Sequence, residues 1–189
     1  NSVPADVRIE TYVRAKTMEA IEATHKKVDT ALKAGGDAVG AQTVIATMPG
    51  QLPLACNNRL NELFVTNAKI AEPNVAVKDA GHFSASTDMG DVSHLLPVIH
   101  PFIGGVDGFL HTADFHVVDF KHAVLLPAKA FAMMIIDLLA DDAELARQIK
   151  AEHHPLLTKE EYIAKLDKYF SVIISCNRKM MEKGRWIFV

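Results

Sequence analysis

The sequence predicts an α/β fold, and three of its features carry that prediction. β-branched, strand-like stretches flank an amphipathic helical stretch within the first fifty residues. A long apolar helical stretch lies in the second half of the chain. Between them is a polar region, residues 79–122, which holds six of the nine histidines and is rich in aspartate and glycine. The composition, 49% hydrophobic and 23% charged over 189 residues, is typical of a globular protein with ample material for a core.

The first fifty residues predict a strand, a helix and a second strand. Val7–Arg14 alternates apolar and polar residues, as a half-buried strand does. Thr17 is a suitable N-cap for a helix whose apolar stripe runs from Met18 to Leu32, and we expect Gly35 and Gly36 to interrupt it. Gln42–Thr47 is β-branched and predicts the second strand.

These elements predict the domain organisation. Residues 1–48 would form the end of a small α/β sandwich, in which the apolar side of the first strand (Val7, Ile9 and Val13) packs on the helix. Residues 49–170 would form a second domain after a proline-rich linker. For the tail, 171–189, a helix, a strand and a disordered or foreign tail all stay open. Because the chain opens with Asn1 and no leader, we expect the interior of a longer protein.

The second domain begins with a predicted helix. Asn57 or Asn58 is its candidate N-cap, and the apolar residues from Leu60 to Ala68 form its buried side. Two short strands are expected at Val75–Val77 and Val98–Ile103, the latter restricted by its proline.

Three more helices are predicted after the polar region. Ala123–Leu139 is apolar nearly all round, which is typical of a buried helix, and Pro127 fits its first turn. Asp141–His153 and Thr158–Phe170 follow, the last with a capping box from Thr158 to Glu161.

Charge and cysteine content narrow the class of protein. The net charge is −3 and the basic residues are dispersed, so the sequence predicts no nucleic-acid partner. The two cysteines, Cys56 and Cys176, are far apart, which favours reduced thiols in a cytoplasmic protein. Lys129 and Asp137 interrupt the longest apolar run, and we therefore expect no membrane span.

The polar region is where the chemistry is expected. Imidazole titrates near neutrality and is the commonest metal ligand, and neighbouring carboxylates orient it. No pair of histidines has the spacing of a HExxH motif, and a loop histidine is more often structural than functional. From the residues alone the region is only a candidate site.

A motif in this region resembles one family closely. The string STDMGDVSH, Ser86–His94, is followed by LLPVIHP and a Gly-Gly pair. It is similar to the dinuclear-metal amidohydrolases of peptidase family M-20, which include aminoacylases, carboxypeptidase G and auxin-conjugate hydrolases, and most to the aminobenzoyl-glutamate utilisation protein B branch. Asn1–Pro4 resembles the family's Asn-x-Ile-Pro, Arg14 matches its strand-end arginine, and HTADF, His111–Phe115, resembles its late histidine segment.

The resemblance implies a fold and site residues. The fold would be the C-terminal part of a zinc-peptidase-like catalytic α/β domain, 49–170, preceded by the end of a dimerisation (lid) domain, 1–48. His111 would ligate a metal, and Asn1 and Arg14 would orient the substrate's carboxylate or the scissile carbonyl. The segment Ser86, Thr87 and Asp88 would contact substrate, or would equally form a hydrogen-bonded turn.

The resemblance also implies an activity. The intact protein would be a metal-dependent amidohydrolase that uses two divalent ions, zinc or manganese, on N-acyl amino acids or aminobenzoyl-glutamate-like conjugates. It would be a homodimer through the lid domain, with its general base upstream of this chain. The chain alone is expected to be inactive. We also expect His111 to lie beside the Ser86–Asp91 loop, at the edge of a parallel-type sheet. The alternative is a truncated, non-catalytic scaffold that binds partners.

Overall fold

The structure, a computed structural model, describes residues 2, 4–79, 81 and 85–175. Its contacts divide the chain into two compact units. Among the described residues, the terminal unit contains those up to Pro53 together with those from Glu160 onward, and the central unit is Leu54–Lys159. The division at Pro53 lies close to the boundary predicted at residue 48. Residues 160–170, which the sequence had grouped with the second domain, join the terminal unit instead.

The terminal unit combines two helices with a two-stranded sheet. Helix α1 is Met18–Ala38, strand β1 is Thr43–Thr47, and the unit is completed late in the chain by a helix, Lys159–Tyr169, and a strand, Ser171–Ser175. The late strand pairs with β1 in antiparallel register, from Thr43 opposite Ser175 to Thr47 opposite Ser171. Of the alternatives left open for the tail, the strand is therefore right for its first five residues. Residues 176–189 lie outside the described part of the chain.

Helix α1 begins where the sequence predicts and ends later. The Thr17 side chain accepts a hydrogen bond from the Ala20 amide at 3.3 Å, which is the predicted cap. The prediction that Gly35 and Gly36 interrupt the helix is wrong, because it continues to Ala38. A Cβ atom at position 36 would lie 1.9 Å from Thr43 Oγ1, so the glycine lets β1 approach the helix rather than breaking it.

Val7–Arg14 is not a strand, contrary to the sequence prediction. Val7 and Ile9 are 69% and 71% exposed, so they do not form the predicted contact with the apolar stripe of α1. An alternating pattern becomes a strand only when a neighbouring strand supplies hydrogen-bond partners. In the terminal unit β1 takes that partner from Ser171–Ser175 instead.

In the central unit, helix α2, Asn58–Ala71, packs on a longer helix, Leu126–Glu152. Asn57 caps α2 as predicted, since its side chain accepts from the Leu60 amide at 3.1 Å. The Phe64 and Phe131 rings meet at a centroid distance of 4.9 Å. The core cluster joins the buried side of α2 to one side of the long helix: Leu60, Phe64, Ala68, Leu126, Ala130, Met134 and Ile149.

A polar contact lies beside this core. Asn67 is 2% exposed, and its side-chain amide donates to Asp137 Oδ2 at 2.7 Å and to the Leu63 carbonyl at 3.1 Å. A buried amide without partners would cost about 1–3 kcal/mol, so these two bonds are what allow an asparagine there. They also give Asp137, one of the residues that interrupts the apolar run, a structural role.

The remaining elements of the central unit are short. Helix α3 is Met89–Ser93, and strands β2, Val106–Asp107, and β3, His116–Val117, form an antiparallel hairpin. Val75–Val77 and Val98–Ile103 are not strands, which corrects the prediction. The Val98 carbonyl accepts from the Asn57 amide at 2.8 Å, but one such bond makes no ladder. No parallel pairing occurs among the described residues, so the expected parallel-type sheet is not present there.

Helix α4, Leu126–Glu152, follows a π-helical turn at Lys121–Leu125 and has its proline in the first turn, as predicted. It covers both helices predicted for 123–139 and 141–153, and it is kinked between them at Ala140–Ala143, where three residues are left-handed. Helix α5 is Lys159–Tyr169 and strand β4 is Ser171–Ser175, both in the terminal unit.

The prediction of burial all round α4 is wrong. Its side opposite the core is exposed at Ile135, Ile136 and Leu139, by 55%, 67% and 63%. The helical stretch Lys121–Glu152 is long and apolar enough to cross a membrane by length and composition alone, a test that core helices also pass. The physical reason for the exposure is that α2 covers only one side of an all-round apolar helix.

Candidate functional site

The predicted substrate segment forms the approach to α3. Ser86 and Asp88 are exposed and Thr87 is half-buried. The Thr87 carbonyl accepts from the Gly90 amide at 2.9 Å, which begins the helical turn. The structure thus brings the three residues together in one turn.

The far end of α3 is anchored from behind. Ser93 is 1% exposed, and its hydroxyl donates to the Gly90 carbonyl at 2.5 Å. The same oxygen accepts from the Ala55 amide at 3.0 Å. The carbonyl of the buried His94 accepts from the Leu157 amide at 3.0 Å. These bonds tie α3 to segments beside α2 and after α4, so the loop has a rigid base.

His100 links this base to the segment Ser86–Asp88. Its Nε2 lies 3.3 Å from Thr87 Oγ1, and its ring meets Phe102 edge-on at a centroid distance of 5.5 Å. Its backbone amide donates to the Cys56 sulfur, whose burial raises the pKa of that thiol. A raised pKa leaves less of the reactive thiolate at neutral pH.

His111 lies in the loop between β2 and β3. It is exposed and has φ +66°, which is uncommon for a residue other than glycine. Thr112 holds the loop, since its hydroxyl donates to the Phe109 carbonyl at 2.6 Å and also contacts Asp114. Backbone strain of this kind is frequent at functional sites, so it is a motive for testing His111.

The structure places His111 differently from our expectation. We expected the edge of a parallel-type sheet, and the described residues instead put it at the turn of an antiparallel hairpin. The physical reason is that the hairpin pairs locally, from Val106 opposite Val117, without any longer crossover. The role of His111 as a metal ligand stays a prediction.

A second oriented imidazole follows the hairpin. His122 Nδ1 lies 2.6 Å from Asp119 Oδ2, and its backbone amide donates to Asp119 Oδ1 at 3.1 Å. The hydrogen bond from the imidazole lowers the pKa of Asp119. Next to this pair, the ammonium of Lys121 binds Glu72, which lowers the pKa of Glu72 and raises the pKa of Lys121. The pairs keep these carboxylates ionised at neutral pH.

The other predicted site residues lie in the terminal unit. Arg14 is exposed, and its guanidinium stacks on the Tyr12 ring at 5.2 Å. Tyr12 and Glu10 are exposed with it, and so are Val7 and Ile9, so the role of Arg14 in substrate binding stays a prediction. Asn1 lies outside the described residues.

The described residues do not form a metal site by themselves. No group of three or more histidine, cysteine, aspartate or glutamate side chains in the described ranges is arranged to hold an ion. A zinc or manganese site needs three or four protein ligands, so His111 could supply one donor and no more. The residues described therefore do not fit two divalent ions without donors from elsewhere.

A cavity of about 380 Å³ lies in the central unit away from the predicted site residues. It is formed by the start of α2 and the end of α4 and is lined by Cys56, Arg59, Glu152 and His153 among others. Two of the lining residues, Arg59 and Glu152, form an ion pair of 2.5 Å. Since both side chains are substantially exposed, this pair contributes little to stability.

Comparison with known proteins indicates the class. The chain is similar to a peptidase-type hydrolase, namely the Xaa-Arg dipeptidase of Mus musculus, with 28% identity over 171 residues. The match covers 86% of this chain but only 39% of the length of that dipeptidase. No family model matches the chain, and no solved structure matches it.

Proposed function

We propose that this chain is the C-terminal part of a metal-dependent amidohydrolase that cleaves the amide bond of an N-acyl amino acid, an aminobenzoyl-glutamate-like conjugate or a dipeptide. The observation that carries the proposal is the similarity to a dipeptidase across 86% of the chain. The motifs at Ser86–His94 and His111–Phe115 lie within the same chain and resemble those of peptidase family M-20.

The roles of the residues follow from their chemistry. Ser86, Thr87 and Asp88 present hydroxyls and a carboxylate on a loop with a rigid base, which suits recognition of polar substrate groups. The guanidinium of Arg14 suits a substrate carboxylate, and Asn1 would assist it. His111 would donate one nitrogen to a zinc or manganese ion, and a pair of such ions in the intact protein would supply Lewis-acid chemistry.

Assembly and location belong to the same proposal. The terminal unit would be the end of a lid domain that joins two copies, and the protein would be cytoplasmic. It would bind neither nucleic acid nor membrane, consistent with its net charge of −3. Light scattering of the purified protein, with an expected mass of two copies, tests the dimer.

A non-catalytic, partner-binding scaffold is the second candidate. The observation that favours it is the exposed apolar side of α4, because apolar patches on a surface often bind other chains. The two candidates differ in one measurable property, which is turnover.

The test is hydrolysis by the full-length protein loaded with zinc or manganese. The panel contains N-acetyl amino acids, aminobenzoyl-glutamate and Xaa-Arg dipeptides. We expect turnover of at least one class, and a loss of at least about 100-fold in His111→Ala, because even indirect partners of a metal ligand are worth 10–100-fold. His116→Ala is the matched control, since His116 is also an exposed histidine of the hairpin, and we expect it to stay within about twofold of the wild type.

Two outcomes would contradict the proposal. Absence of turnover on the whole panel, with metal bound, would favour the scaffold. Equal losses in the two histidine variants would show that the hairpin is structural and would remove the ligand role of His111.

A further inference from the structure

His100 is a half-buried polar side chain of the central unit that the proposed function does not use. One of its ring nitrogens, Nε2, lies 3.3 Å from Thr87 Oγ1. The other, Nδ1, is buried and has no hydrogen-bond partner. An unpaired buried nitrogen costs about 1–3 kcal/mol, so a phenylalanine or leucine would pack there at lower cost. The contact with Thr87 is the feature that only a polar side chain supplies.

The backbone on the His100 side is fixed. Its amide donates to the Cys56 sulfur, and two residues earlier the Val98 carbonyl accepts from the Asn57 amide at 2.8 Å. Asn57 is the N-cap of α2, and this helix contributes three of the seven residues of the core cluster. The His100 backbone is therefore held by the segment that leads into α2 rather than by the loop.

On the other side of the contact, Thr87 belongs to the loop that precedes α3. Its carbonyl begins α3 by accepting from the Gly90 amide, and its hydroxyl is 3.4 Å from the Met89 amide. A hydroxyl offers one donor and two acceptor sites, so it serves Met89 and His100 together in either imidazole tautomer. Ser86 and Asp88 flank Thr87 directly, and their directions depend on its conformation.

We propose that His100 is a positioning residue, which holds the Ser86–Asp88 loop through the Thr87 hydroxyl in the conformation that binds substrate. This inference rests on the proposed function, because the loop binds substrate only there. His100 itself does not touch substrate. Its contribution is to reduce the conformational freedom that the loop loses on binding.

The variants separate hydrogen bonding from packing. In His100→Gln the amide reaches the place of Nε2, whereas in His100→Asn it falls at the unpartnered Nδ1, and His100→Leu keeps bulk alone. On the other side, Thr87→Ser keeps the hydroxyl and Thr87→Val keeps the shape. If His100 serves packing, His100→Leu should be the best-tolerated variant. If His100 positions the loop, His100→Gln should be.

The first measurement is amide hydrogen exchange of Met89 and Gly90 in the 189-residue chain. We expect His100→Leu and Thr87→Val each to speed exchange about fivefold, the equivalent of one hydrogen bond of about 1 kcal/mol. The double variant should be no faster than the faster single one, since both remove the same contact. His100→Gln and Thr87→Ser should stay near the wild type, and His100→Asn should resemble leucine.

The second measurement is steady-state hydrolysis by the full-length protein. We expect His100→Leu to raise KM about fivefold with kcat within about twofold, as for lost ground-state binding, and His100→Gln to restore KM. Additive exchange effects, or glutamine as harmful as leucine, would overturn the positioning role. A normal KM in His100→Leu would do so while leaving the proposed function intact. Absence of hydrolysis by the wild type would overturn the proposed function and the substrate part of this inference, and the exchange cycle would still decide the loop contact.

Discussion

Gly104 and Gly105, which precede β2, differ in how much room each has for a side chain. Gly105 has φ +91°, and a Cβ atom there would lie 2.6 Å from the Asp119 carbonyl oxygen and 2.7 Å from the Ala123 amide nitrogen. Its own carbonyl accepts from the Val118 and Asp119 amides, both at 3.0 Å. Gly104 has open space around it. The backbone conformation therefore requires a glycine at position 105 and does not require one at position 104.

We predict that Gly105→Ala lowers the free energy of unfolding by about 2–4 kcal/mol, because the left-handed backbone and the backbone clash both oppose a side chain. Gly104→Ala is the matched control and should stay within about 1 kcal/mol of the wild type. Urea denaturation of the three proteins measures the difference. Equal stability of the two variants would contradict the close packing of Gly105 against the turn before α4.

Local side-chain contacts could be predicted from the sequence, and distant ones could not. Thr17 and Asn57 each cap a helix through an amide three residues away, so the signal and its partner lie in one short window. His100 and Thr87 are thirteen residues apart and joined by neither helical nor strand periodicity. A loop histidine is more often structural than functional, and only the arrangement in space gives the His100 ring a partner.

At the scale of elements, strands were the least predictable. Val7–Arg14 has a clear alternating pattern and forms no strand, whereas Ser171–Ser175 pairs with β1 over a separation of more than a hundred residues. Helices were found more reliably because their hydrogen bonds stay within the segment. A strand depends on a partner whose position the pattern does not state. The role of Arg14 near the end of the first pattern stays a prediction for the same reason.

Within the terminal unit, α1 and α5 are joined by a polar contact. The Tyr169 hydroxyl donates to Glu22 Oε1 at 2.7 Å. This hydrogen bond lowers the pKa of Glu22, and burial together with the same bond raises the pKa of Tyr169. Lys165 adds an ion pair to Glu22 at 3.7 Å. The contact is strongest when the carboxyl is ionised and the phenol is protonated.

The pKa shifts give this contact a pH range. The contribution of Glu22, whose folded pKa is lowered, is present above its ordinary value of 4.5 and is lost as the pH falls through the lowered pKa. The contribution of Tyr169, whose folded pKa is raised, is present below its ordinary value of 10.0 and declines as the pH rises beyond it. Between these limits the stabilisation should be constant.

We predict that Tyr169→Phe costs about 1 kcal/mol at pH 7, a low value because the Glu22 side chain is 37% exposed and screened by water. The cost should shrink below pH 4.5 and above pH 10.0. Tyr12→Phe is the control, since Tyr12 is 77% exposed and phenylalanine keeps its ring. Urea denaturation across pH measures both, and a cost of Tyr169→Phe that is independent of pH would contradict the charged hydrogen bond.

At the scale of the whole molecule, the sequence identified the segments of the candidate site but did not predict how they lie relative to one another. The motifs identified His111 and the Ser86–Asp88 segment because each is a short string. Whether they share a pocket depends on the path of the backbone between them, which the sequence led us to expect as a parallel-type sheet. The described residues contain a local hairpin there instead. Their joint role therefore depends on the hydrolysis test.

The exposed side of α4 also has meaning at this scale. The chain spans 39% of the length of the dipeptidase that it matches, so a protein of that kind has more chain to pack on this helix. Under the proposed function, we therefore expect the side formed by Ile135, Ile136 and Leu139 to be covered in the full-length protein by the remainder of the catalytic domain. This covering would bury the apolar residues that α2 leaves exposed, because α2 packs against one side of α4 only.

The last prediction tests whether this side of α4 packs against protein or binds a lipid membrane. In the isolated chain, Ile136→Lys should lower binding of an apolar dye, because it places a charge on the exposed patch. In the full-length protein the same change should cost about 2–4 kcal/mol of stability, since it would bury a charge without a partner. Ala151→Lys, at an exposed position of α4 beyond the kink, is the matched control and should be neutral in both. Flotation of the full-length protein with neutral phosphatidylcholine vesicles, abolished by Ile136→Lys, would contradict the packing and assign this side of α4 to a membrane.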